Sequence, residues 1–129
     1  MARILVIDDV AVVGDYMAGI LRTLGHEVSA AASGREGLVL FEKEAFDLVL
    51  TDLHMPDQGG IATIAAIQSL RPRTPVLIMT GDLPPTGPRL QLEAFLGTAQ
   101  MLKKPFSDEE LEDAVRKALR STNGVATRD

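Results

Sequence analysis

The sequence predicts an α/β fold: a doubly wound (βα)5 domain in which a five-stranded parallel sheet carries helices on both faces. Three observations predict it. Five short apolar runs alternate with stretches whose apolar residues recur at helical period, the pattern of repeated strand–helix units. Two of the helical stretches open on a Ser-x-x-Glu start signal, Ser33 to Glu36 and Ser107 to Glu110. The apolar runs end in polar or charged residues, as strands do where they leave a core, and right-handed crossovers then join them.

The strands are read at 3–8 (RILVID), 27–31 (EVSAA), 47–51 (DLVLT), 75–80 (PVLIMT) and 99–103 (AQMLK). Between the first two, Val13, Met17, Ile20, Leu21 and Leu24 form an apolar stripe at helical spacing, which Gly14 and Gly19 weaken without cancelling. The second helix starts at Ser33 and runs through Leu38, Phe41 and Ala45. A third spans about 60–70 through Ile61, Ile64 and Ile67, and stops before Pro72 because proline disfavours a helical residue ahead of it. Pro84, Pro85, Gly87 and Pro88 leave room only for a short fourth helix, 88–96, with Pro88 at its first position. The last starts at Ser107 and sets Leu111, Val115, Ala118 and Leu119 on one stripe. One domain is expected over 1–121, followed by a disordered tail over 122–129, which is polar and aperiodic.

Composition narrows the function classes. The chain has 129 residues, 46% of them hydrophobic and 24% charged, which suits one soluble domain with a real core. A net charge of −5 without a basic run argues against nucleic acid or an anionic membrane as partner. Cysteine is absent, which removes disulfides, thiol nucleophiles and thiolate metal sites and suits a reducing, cytoplasmic location. Asp8 interrupts the first apolar run, unlike a signal peptide, and no run is long enough to span a bilayer.

In an open parallel sheet, ligands bind outside the carboxyl ends of the strands, so strand endings are informative. The first ends in Asp8 and Asp9, the third in Asp52, the fourth in Thr80, and the fifth leads to Lys103 and Lys104. Two carboxylates about 4 Å apart repel by roughly 4 kcal/mol at an effective dielectric near 20. A divalent cation removes that penalty, and few, hard, solvent-open oxygen ligands suit magnesium. Phosphate chemistry is the natural reading, with Asp52 as nucleophile between the metal and a lysine.

"VIDD", "LVLTDLHMP", "VLIMTGD" and "LKKPF", each at a strand end and in this order, resemble the receiver domain of bacterial two-component response regulators over about residues 2–120. The resemblance implies a flavodoxin-like, CheY-like sheet of order 2-1-3-4-5. It implies that Asp52 accepts a phosphoryl group from a sensor histidine kinase or histidine phosphotransfer protein. Asp9, Asp52 and the backbone carbonyl of His54 match magnesium ligands, and Asp8 acts through water. Thr80 and Lys104 match the hydroxyl and ammonium that stabilise the phosphoryl group, and the Lys104–Pro105 peptide is expected to be cis. Lys103 points to the other sheet face by strand alternation. A stand-alone switch follows, not an enzyme in the usual sense, with output through a downstream protein target.

The chain departs from the family pattern in places. Met101 stands where the switch aromatic is usual, Gly81 follows Thr80 in place of alanine, and Gly59 replaces an acidic residue before Gly60. In the family the side chains at the positions of His54 and Asp82 flank the path of an attacking water, so the resemblance makes both candidates for tuning phosphoryl lifetime. Tyr16, Phe41, Phe46, Phe95 and Phe106 read as packing residues, Met17 and Met79 as core, and His26 as a surface loop residue. Three other readings stay open. A magnesium-dependent aspartyl-phosphate phosphohydrolase needs Asp-x-Asp on one strand, but Leu53 and His54 follow Asp52. A flavodoxin-like cofactor binder needs a phosphate loop where Asp8 and Asp9 stand. A pseudo-receiver keeps the shape and only binds partners.

Overall fold

The computed structural model describes residues 2–52, 60–80 and 100–128, with the side chains of 60, 61, 80, 100 and 121–128 outside that description. Strands β1 (Arg3–Ile7), β2 (Glu27–Ala31), β3 (Leu48–Asp52), β4 (Val76–Thr80) and β5 (Gln100–Lys103) form one sheet of order β2-β1-β3-β4-β5. Every neighbouring pair is parallel. Helices α1 (Ala11–Thr23), α2 (Gly34–Lys43), α3 (Gly60–Leu70) and α4 (Asp108–Arg128) complete the described elements. Each strand lies within one residue of its predicted bounds. The predicted helix at 88–96 falls outside the described residues.

Side chains alternate across the sheet, and each face builds its own core. Leu5 and Ile7 of β1 join Val49, Ile78, Phe41 of α2, and Ile64 and Ile67 of α3. Ile4 and Val6 join Leu48, Leu50, Met17 and Leu21 of α1, and Leu111 and Val115 of α4. Burial on both faces explains why β1 and β3 read as continuous apolar runs instead of alternating ones. All five residues of β3 are buried, so the central strand delivers Asp52 to the rim on a fully supported backbone.

Local signals account for the helix ends. Ser33 Oγ accepts from the Glu36 N–H, and at α4 the exchange is reciprocal: Glu110 N–H donates to Ser107 Oγ at 3.1 Å and Ser107 N–H to Glu110 Oε1 at 2.8 Å. These bonds satisfy amides that a helix start leaves orphaned. At the far end of α1, Gly25 adopts φ +96°, the left-handed turn that glycine makes without strain. Arg71, just past α3, donates to the Phe41 carbonyl and sets its guanidinium 4.5 Å from the Phe41 ring, tying the exit of α3 to α2.

Helix α4 is described as far as Arg128, over the segment that includes the predicted tail. Once a helix is nucleated, each added residue gains a backbone bond, so periodicity is not required to extend it. Two expectations need correction. Tyr16 is 60% exposed, and its hydroxyl donates to Asp108 Oδ1 at 3.0 Å instead of entering the core. His26 is half-buried, and its Nδ1 accepts from the Ala2 N–H at 3.0 Å, so it clasps the start of β1. Phe41 and Phe46 are buried and stacked, Phe106 is half-buried against the second core, and Met17 and Met79 are core residues as expected. Phe95 lies outside the described residues.

Candidate functional site at the carboxyl rim

The site collects at the carboxyl ends of β1, β3 and β5. Asp8 and Asp9 follow β1 directly, and Asp52 is the last residue of the adjacent β3, so sheet order brings them together. Carboxylate oxygens of all three lie within 4.8 Å of one another. Their environments differ: Asp8 is 1% and Asp52 7% exposed, while Asp9 faces solvent. Lys104, just past β5, lies three strand positions from Asp8, roughly 14 Å at ordinary strand spacing. Its side chain therefore runs across the rim, and Nζ sits 3.2 Å from Asp52 Oδ2 and 3.4 Å from Asp8 Oδ2. The Lys104–Pro105 peptide is cis, as expected.

Electrostatics follow from this arrangement. Burial pushes the Asp8 carboxyl above the usual range, against the lowering effects of the Val10 amide and Lys104. Burial alone would lower the Lys104 ammonium, but the Asp8 and Asp52 carboxylates outweigh it and raise its pKa. Asp8 is held twice: Oδ1 accepts from the Val10 N–H at 2.9 Å, and Oδ2 faces Lys104. The Val10 contact went unpredicted, although an aspartate two residues before a helix-opening amide is the signature of an Asx turn. Thr51, fully buried beside Asp52, donates its hydroxyl to the Asp52 carbonyl at 3.1 Å.

The other predicted residues are placed less completely. The backbone of Thr80 ends β4 in register with Lys103, while its side chain lies outside the described residues. His54, Gly59, Gly81 and Asp82 lie outside them altogether. Met101 is half-buried, pairs with Ile78, and packs on the α2–α3 side of the sheet. Leu102 packs on the opposite side and Lys103 is exposed, which follows the expected alternation along β5.

A doubly wound parallel sheet with a carboxylate cluster and a bridging lysine at its carboxyl rim defines a class of α/β proteins that concentrate opposite charges where a ligand enters. Comparison with known proteins narrows the class: the chain belongs to the response regulator receiver domain family, whose profile matches residues 4–116. It is 37% identical over 123 residues to the transcriptional regulatory protein ZraR of Escherichia coli K12, an alignment covering 95% of this chain and 27% of that protein. The chain thus spans about a quarter of the length of the ZraR relatives it matches. Chemotaxis protein CheY4 of Vibrio cholerae superposes with a TM-score of 0.84 at 31% identity, covering 92% of this chain and 98% of that one. A CheY-like receiver domain protein of Methanospirillum hungatei gives 0.89 at 28% identity, covering 96% and 98%. Among the described residues, no helix is long and apolar enough to cross a membrane.

Proposed function

We propose that the chain is a phosphorylation-controlled switch in which Asp52 accepts a phosphoryl group from a phosphohistidine donor, a sensor histidine kinase or histidine phosphotransfer protein. The observation that carries this reading is the Lys104 ammonium, 3.2 Å from Asp52 and shared with Asp8 at the mouth of a three-carboxylate cluster. A carboxylate oxygen of Asp52 attacks phosphorus as the phosphorus–nitrogen bond to the donor imidazole breaks. The imidazole leaves with the bonding pair, and an acyl phosphate remains on Asp52. Lys104 then pairs with a phosphoryl oxygen, and the Thr80 hydroxyl donates a second contact.

The donor set fits magnesium: hard oxygens from three carboxylates within 4.8 Å, one of them solvent-facing. Asp9 and Asp52 would hold the ion together with the His54 backbone carbonyl, and Asp8 would act through water. Support for that division comes from Asp8 itself, whose two oxygens already face the Val10 amide and Lys104. When bound, magnesium supplies positive charge that offsets both carboxylate repulsion and the charge of the phosphoryl oxygens. In this reading the chain is a cytoplasmic switch whose output is a changed protein contact. Its relatives' names as transcriptional regulatory proteins point to control of transcription as the process served.

Incubation with magnesium and acetyl phosphate followed by intact-mass measurement tests the proposal. Wild type is expected to gain one phosphoryl adduct and Asp52→Asn none. A folded wild type that gains no adduct would leave the pseudo-receiver as the better reading.

A further inference from the structure

At the amino edge of the sheet, opposite the carboxylate cluster, the segment after α1 and the face of α4 line a cavity of about 400 Å³. This lies within the roughly 300–1,000 Å³ range of small-molecule sites. Leu24 and Leu119 give it an apolar surface over the buried Val115, and His26, Arg116 and Arg120 add nitrogen donors. Among the described residues, Glu112 is the only acid lining it, and it is engaged by Arg116 at 2.7 Å. Among the described residues, no carboxylate pairs with Arg120. The local balance is therefore cationic on a chain whose net charge is −5.

Two further features suit an anion. The carboxyl end of α1 would ordinarily repel one, but its carbonyls are occupied: the amides of Leu24, Gly25 and His26 donate to Ile20, Arg22 and Leu21. The His26 ring accepts at Nδ1 from Ala2, so the neutral ring carries its proton on Nε2 and remains a donor.

We propose that this cavity binds a small organic carboxylate with a compact apolar body, its acid group on Arg120 and its apolar part between Leu24 and Leu119. The charge of the described lining disfavours a cationic ligand, and the apolar surface disfavours a bare inorganic anion. Such a ligand joins α1 to α4 at the edge remote from Asp52, so binding does not depend on phosphorylation chemistry.

Titrating the full chain with 1-naphthoate and with the neutral 1-naphthalenemethanol, followed by amide chemical shifts, tests the assignment. Naphthoate is expected to move the Leu24, His26, Val115 and Leu119 amides at millimolar concentration and to bind more tightly than the alcohol. Arg120→Gln should weaken naphthoate about two- to fivefold, the effect of one solvent-screened ion pair, and leave the alcohol unchanged. Asp52→Asn should bind like wild type. Equal affinity for acid and alcohol, shifts elsewhere or none at all, or an unchanged affinity in folded Arg120→Gln would overturn the proposal.

Discussion

One ammonium group serves two carboxylates at the rim, and their surroundings differ. Asp8 is the most enclosed, and burial raises its carboxyl pKa despite Lys104. A raised pKa means that ionised Asp8 costs stability at neutral pH and that the cost disappears as pH falls through the folded value. Asp8→Asn removes the charge and keeps an oxygen for the Val10 amide, so its Tm in chelator is expected to exceed that of wild type. His26 behaves oppositely. Burial lowers its pKa, followed by the effect of the N-terminal charge, and the neutral Nδ1 is the acceptor for Ala2. The unfolded chain therefore binds the proton more readily, and stability from this group is complete above about pH 6.5 and falls as pH drops toward the folded value. The slope of Tm against pH in that window should flatten in His26→Gln. The rim carboxylates were legible because strand ends mark them in sequence. His26 was not, since its partner lies 24 positions away and no local pattern links them.

At the scale of elements, glycines show how closely helices approach the sheet. A Cβ on Gly37 of α2 would collide with Ile7 Cδ1 and lie 2.7 Å from Ile7 Cγ1, and Ile7 is fully buried. Replacing glycine by alanine in a helix is worth up to about 1 kcal/mol, whereas overpacking a closed core costs about 1–3 kcal/mol. Packing wins, so Gly37→Ala should lower unfolding free energy in urea. Gly19 of α1 has nothing within 4 Å of its missing Cβ. Gly19→Ala should therefore gain roughly 0.5–1 kcal/mol in the same measurement. Sequence reasoning saw Gly19 only as helix-weakening and had no local signal for Gly37, because the difference resides in what stands opposite. It located the five strands and three described helix starts from period and caps, which are local.

Across the whole molecule, two cores back one sheet, and the acidic rim is anchored in the most buried part of both. A ligand that binds only the folded rim therefore stabilises the entire domain by mass action. Magnesium at about 100 times its Kd should add about 2.7 kcal/mol to unfolding stability. Calorimetric Tm is expected to rise with magnesium in wild type and to stay near the chelator value in Asp9→Asn; an equal rise in both would remove Asp9 from the ion. The topology was readable because strand–helix alternation restricts a parallel sheet to few arrangements, and the family resemblance selected its order. The span of the lysine has a mechanical meaning as well. Lys104 tethers the β5 edge to β1 and β3, and the next residues, Pro105, Phe106 and Ser107, run straight into the reciprocal cap of α4. In the proposed switch, charge added at Asp52 would pull on a short leash whose other end is a helix start, with the sheet edge as the spring that resists it.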